Sequence, residues 1–109
     1  MSQFQALKVA SVARNTRDAV VVTFEVPEAL AETFAFRPGQ YLTLRTQIDG
    51  QELRRSYSIC AAPHDGLLRV AIKRLNDGAF STWANARLQP GDVVDVMPPD
   101  GHFTVPFAP

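Results

Sequence analysis

The chain has 109 residues, with 11 acidic and 11 basic side chains, 2 histidines and 1 cysteine. That length suits one domain, residues 1–109, built round a single core. The charge balance removes any general pull toward nucleic acid or anionic membrane, and one cysteine excludes an internal disulfide or a four-cysteine iron–sulfur cluster.

The first strand is expected over residues 4–12. The start of the chain lacks the charged opening and long apolar stretch of a secretory signal, and no apolar run approaches the roughly 20 residues that span a bilayer. A cytoplasmic protein without membrane contact is the expectation. Residues 19–26 predict a half-buried strand: Val20, Val22, Phe24 and Val26 fall on one face, with Val21, Thr23 and Glu25 on the other. Residues 27–34 suit a helical turn. Strands are predicted over 41–48 and 53–60, and Asp49-Gly50 between them is a hairpin signal. A further strand covers 67–75.

Residues 80–88 predict a short helix, with Ser81 or Asp77 as its cap. Phe80, Trp83, Ala84 and Leu88 recur at helical spacing and are expected to cover an open end of the sheet. A last strand covers 93–97. Other turn signals are Pro38-Gly39, Asp65-Gly66, Asp77-Gly78, Pro90-Gly91 and Asp100-Gly101. Short strands with such turns indicate an antiparallel barrel or sandwich. Pro98, Pro99, Pro106 and Pro109 break up the end, which reads as a domain boundary, with Val105 and Phe107 as an exposed apolar stretch.

Two segments carry the chemistry. In Arg55-Ser56-Tyr57-Ser58, strand alternation sends Arg55 and Tyr57 to one face and Ser56 and Ser58 to the other. A forked guanidinium suits a phosphate and a phenol ring suits a flat ligand. Each alone has a bland reading, a solvated surface arginine and a half-buried strand aromatic. Ser58 either donates to a ring nitrogen of a flat ligand or satisfies nearby backbone. As a nucleophile it lacks a His-Asp pair and a G-x-S-x-G setting. In Gly78-Ala79-Phe80-Ser81, a glycine turn precedes a helix whose free amides attract anions, although turn glycines and cap serines are common. Backbone groups around Ile72 and Lys73 are expected to meet a flat ring. The two segments together suggest a nucleotide-like cofactor, a flavin nucleotide fitting best. His64 and His102 share no metal-ligand spacing, so no metal site is expected. Cys60 is expected to be a small buried apolar residue. There is no G-x-G-x-x-G and no P-loop.

These residues, in order, resemble the ferredoxin–NADP reductase superfamily. Arg55-Ser56-Tyr57-Ser58 is similar to its R-x-Y-S motif, and Pro38-Gly39-Gln40-Tyr41 to its P-G-Q-Y turn. Gly78 to Ser81 resembles its second phosphate motif, and Pro99-Asp100-Gly101-His102-Phe103 its closing P-x-G-x-F segment. Within the superfamily, Pro27-Glu28-Ala29-Leu30 and Phe80-Ser81-Thr82-Trp83-Ala84-Asn85 most resemble reductase components of phenylacetyl-CoA oxygenases (epoxidases). The resemblance implies an all-β, six-stranded antiparallel Greek-key barrel with one capping helix, binding FAD, with FMN as the alternative. It implies that Arg55 contacts the pyrophosphate, that Tyr57 lies against the isoalloxazine and that Ser58 approaches the reactive N5 edge. Gly78, Ala79, Phe80 and Ser81 would hold phosphate. It further implies hydride supplied by NAD(P)H from an NAD(P)-binding domain, and electrons passed to a [2Fe-2S] acceptor on a ferredoxin domain and on to an oxygenase component. Neither domain is encoded in these residues, so an isolated flavin domain is expected. A non-catalytic barrel that docks a protein partner is the rival of a different class.

Overall fold

The computed structural model describes residues 4–61, 67–75 and 78–101. Its frame is two hairpins. Strands β1 (Gln5–Thr16) and β2 (Ala19–Glu25) pair antiparallel, as do β3 (Tyr41–Ile48) and β4 (Gln51–Ser58). Asp49 and Gly50 have φ of 53° and 82°, left-handed at both positions. That is the two-residue turn whose twist matches the flanking strands, so Ile48 faces Gln51 directly. Strands β5 (Leu68–Lys73) and β6 (Val93–Val96) and helix α1 (Ala79–Arg87) complete the chain. The six strands form one sheet in the order β4-β3-β6-β1-β2-β5, the non-sequential order expected of Greek-key connections.

Alternation fills the inside of this sheet. Leu7, Val9, Val20, Val22, Phe24, Leu42, Leu44, Val70, Ile72, Val94 and Val96 are buried. Helix α1 packs Phe80, Ala84 and Leu88 into the same core, as its spacing predicts, with Trp83 half-buried. Asn85 anchors it, its Nδ2 donating to the carbonyls of Ile72 (3.0 Å) and Ser81 (2.9 Å).

The edge strands meet at one place. Ile59 bridges Val70, and the Cys60 N–H donates to the Arg69 carbonyl at 3.0 Å. Among the described residues no longer ladder joins β4 to β5, so the sheet curls until its edges touch and leaves a gap beyond the bridge.

Several boundaries move. β1 runs on to Thr16, past the predicted end at 12, because it pairs with β2 as far as Ala19, with bulges that absorb its extra residues. β4 starts at Gln51, set by the tight turn. Within 27–34 only Glu28–Leu30 is helical, as a single 3-10 turn. β5, β6 and α1 differ from expectation by one or two residues at their ends. Two readings are corrected. Cys60 is exposed: β4 ends at Ser58, and alternation turns Ile59 inward and Cys60 outward. Ser81 does not cap α1. Gly78 occupies the cap position with no side-chain cap bond, because Ser81 lies inside the first turn and its hydroxyl is used elsewhere. Asp77, the other cap candidate, lies outside the described residues, as do His64, His102, Phe103, Val105 and Phe107. No helix among the described residues is long and apolar enough to cross a membrane.

Candidate cofactor site

Arg55 and Tyr57 stand opposite Leu44 and Leu42 in the β3–β4 ladder. Cross-strand partners share a face, so both residues lie on the inner side of the sheet, where the pattern otherwise places apolar groups. Arg55 is nevertheless exposed, because β4 is an edge and the gap beside it opens to solvent. Its guanidinium is steadied by an Nη1 bond to the Arg54 carbonyl at 2.6 Å. Tyr57 is half-buried, its ring 5.8 Å from that of Phe80 at a 42° tilt, and Phe80 in turn meets Trp83 edge-on at 5.5 Å. Phe80 belongs to the first turn of α1. The aromatic contact therefore ties the arginine–tyrosine face to the helix start.

Burial pushes the Tyr57 phenol above its ordinary value of 10.0, opposed by the nearby Arg55 charge. The phenol therefore remains a hydrogen-bond donor through the neutral range. A raised acid in the folded state holds its proton where the unfolded chain releases it. Its contribution to stability is complete below about pH 10 and declines as pH rises through the higher folded value. Chemical denaturation across alkaline pH should show this decline, and Tyr57→Phe should flatten it.

The amides of Ala79, Phe80 and Ser81 open α1 and have no partner within the helix. No acidic side chain sits in the first turn, so the positive end of the helix is not neutralised from within. The turn ahead of it is fixed by Ser81, which is buried. Its Oγ accepts from the Leu75 N–H at 3.0 Å and donates to the Gly78 carbonyl at 3.2 Å. Gly78 is required for space: its φ is −88°, but a Cβ there would lie 2.6 Å from Ser81 Oγ and 3.1 Å from the Leu75 carbonyl. Gly78→Ala should therefore displace the serine hydroxyl and loosen this turn. Ser81→Ala should remove the hydroxyl's bonds to Leu75 and Gly78 and cost about 0.5–1.5 kcal/mol of stability by urea unfolding.

The free edge of β5 faces the gap. The Arg74 N–H donates to the Asp18 carbonyl and the Arg69 carbonyl accepts from Cys60. Alternation along the strand then directs the main chain of Val70 and Ile72 toward β2, and that of Ala71 and Lys73 toward the gap. Of the expected pair, Lys73 turns its main chain to the unpaired side of β5, while Ile72 is buried with its carbonyl accepting from Asn85. Ser56 lies on the outer face, its Oγ 2.8 Å from Thr43 Oγ1. Ser58 is exposed opposite Tyr41, on the same side as Ser56 by alternation. The structure thus brings together Arg55, Tyr57, Phe80 and the 78–81 turn, and turns the Ser56 and Ser58 side chains from that face. Asn85 escaped the sequence reading, although its place four residues after Ser81 put it on the helix flank. A 320 Å³ recess lies beside the helix start, lined by Ile48, Asp49, Gly78, Ala79, Thr82 and Trp83 among others. Arg55 and Tyr57 are on the open face outside it.

A curled β-sheet with a guanidinium and a phenol on one edge strand, beside a helix start with no side-chain cap among the described residues, suits a domain that holds a phosphate-bearing, ring-containing cofactor. The donor set fits FAD: a guanidinium fork for a diphosphate, a phenol ring as a wall, and free amides at a helix start. The chain belongs to the oxidoreductase FAD-binding domain family, whose sequence profile matches residues 6–105.

Among its relatives, one component of the 1,2-phenylacetyl-CoA epoxidase of Escherichia coli K12 is 48% identical over 103 residues, 94% of this chain and 29% of that protein. The ferredoxin reductase component of the 3-ketosteroid-9-alpha-monooxygenase of Rhodococcus rhodochrous is 39% identical over 100 residues, 90% of this chain and 28% of that protein. The chain thus spans less than a third of the length of these relatives. The Amycolatopsis cytochrome P450 reductase GcoB is similar in structure, with a TM-score of 0.74 and 30% identity over 98% of this chain and 32% of its own. A Neisseria gonorrhoeae ferredoxin NADP+ reductase, solved with bound FAD and NADP, shares the fold at a TM-score of 0.74 and 23% identity, over 91% of this chain and 39% of its own.

Proposed function

We propose that these residues are the FAD-holding part of an NAD(P)H-dependent oxygenase reductase, of the kind that serves phenylacetyl-CoA epoxidation. The observation that carries this reading is the Tyr57–Phe80 contact, which links the Arg55–Tyr57 face to the first turn of α1. Its support in sequence is the 48% identity to the epoxidase component. When bound, FAD supplies hydride acceptance from NAD(P)H and single-electron release. Arg55 would hold the diphosphate, and the amides of Ala79, Phe80 and Ser81 would take phosphate as well. Tyr57, backed by Phe80, would form a wall for the ring system, and the Lys73 backbone would meet the ring. Gly78 and the Ser81 hydroxyl keep the turn in shape. Ser58 reaches the reactive edge only round the end of β4, so Ser58→Ala should change FAD affinity by no more than about twofold.

The reading gives the chain an NAD(P)-binding domain and a ferredoxin domain as neighbours, an oxygenase component as partner, and the cytoplasm, where the reduced nicotinamide pool lies, as location. Exchange of this chain for the matched region of the Escherichia coli relative tests it. The chimaera should contain flavin and reduce an iron–sulfur acceptor with NAD(P)H. A folded, flavin-loaded chimaera without that activity would sink the reading. Chromatography of the released flavin should find FAD, and recovery of FMN would correct the cofactor.

A further inference from the structure

On the flank of α1, at a recess that Arg55 and Tyr57 do not line, three arginines converge. Arg14 from β1, Arg17 from the β1–β2 turn and Arg74 from the end of β5 line a 140 Å³ recess with Thr82, Asn85 and Ala86. The Arg14 guanidinium is held by neutral groups: Nη1 donates to the Arg17 carbonyl (3.2 Å) and Asn85 Oδ1 (3.0 Å), and Nη2 to the Asn85 carbonyl (2.8 Å). Arg74 pairs with Asp18 at 3.3 Å. Among the described residues, no carboxylate pairs with Arg14 or Arg17. Arg45, Arg54 and Arg87, by contrast, pair with Asp95, Glu52 and Asp49, while Arg55, like Arg14 and Arg17, has no carboxylate partner among the described residues. A chain of zero formal net charge therefore gathers unmatched positive charge at one recess.

We propose that this recess is an anion site for a phosphate-type dianion, free or as a monoester. Three guanidinium groups round a small concavity suit a tetrahedral oxyanion, which accepts paired N–H bonds. Arg14 is already fixed through Asn85, whose own amide is anchored to Ile72 and Ser81, so little side-chain freedom is lost on binding. The anion relieves the repulsion between Arg14 and Arg17, whose charges are unmatched, while Arg74 keeps its pairing with Asp18. Thr82 adds a hydroxyl, and Ala86 leaves the floor open. The concave shape favours one small group over a broad protein face.

The test is a titration of the ¹⁵N-labelled chain with inorganic phosphate and with glycerol phosphate, at ionic strength matched with sodium chloride and in mildly alkaline buffer. Saturable shifts are expected at the amides of Arg17, Thr82, Asn85 and Ala86 that chloride does not produce. Tighter binding of either probe supports the site and names the source. Arg17→Gln, which leaves the Arg17 carbonyl in place for Arg14, should weaken binding by about tenfold, the low end for one charge-assisted contact. Saturation with FAD should leave the response intact, which separates this site from the flavin phosphate site. The proposal is overturned if chloride does as well, if Arg17→Gln binds as tightly, or if shifts confined to Ala79–Ser81 vanish with FAD.

Discussion

Phe80→Ala is expected to lower folding stability by about 3–5 kcal/mol, the cost of deleting a buried aromatic ring. Phe80 is 1% exposed and sits between Tyr57 and Trp83, so no neighbour collapses into its place without opening another void. Against a total of about 5–15 kcal/mol for a domain of this size, that is a large share. The midpoint in urea should fall while the slope stays unchanged, the mark of lost stability without loss of two-state behaviour. Phe80→Leu, closer in volume, should cost less than about 1.5 kcal/mol. It still removes the flat backing of Tyr57. The leucine variant therefore separates the two duties of this residue: folding nearly intact, FAD affinity reduced. Equal loss of both in the two variants would contradict that division.

Arg55→Ala carries the largest expected effect on binding. The guanidinium is exposed, makes no carboxylate pair among the described residues, and is steadied only by the Arg54 carbonyl. Its removal should leave unfolding unchanged within about 0.5 kcal/mol. FAD affinity should drop by about 1.5–3 kcal/mol, roughly 10- to 150-fold, the range for a hydrogen bond to a charged group. Arg55→Lys keeps the charge but loses the planar fork, and should fall between the two. Affinity unchanged in Arg55→Ala would remove the phosphate role from this strand.

Arg55 also shows what the sequence makes legible. The alternation that puts Val20, Val22 and Phe24 in the core puts Arg55 and Tyr57 on a common face, and the ladder opposite Leu44 and Leu42 agrees. The Asp49-Gly50 turn was legible because few residue pairs accept left-handed conformation at both positions. Local spacing failed where geometry depends on distant partners. Cys60 lies two residues past the end of β4, just beyond the single Ile59–Val70 bridge, so its outward turn follows from tertiary pairing. Ser81 had the look of a cap, yet its hydroxyl is claimed by Leu75 and Gly78, a claim set by how β5 approaches the helix. The Arg14–Asn85 link spans 71 residues and leaves no mark in local pattern. The resemblance supplied the order of the motifs. Alternation also put Ser56 and Ser58 on the opposite face, as the ladder has them; which β5 backbone groups stay unpaired required the fold.

The most direct test of the central claim is a visible absorption titration of FAD with the purified chain, followed by removal of free flavin. A saturable one-to-one change in the flavin bands is expected, with a flavin spectrum retained on the protein and loss of both in Arg55→Ala at the same concentrations. A spectrum identical to free FAD at every ratio, with a chain shown to be folded by its unfolding transition, would contradict that claim.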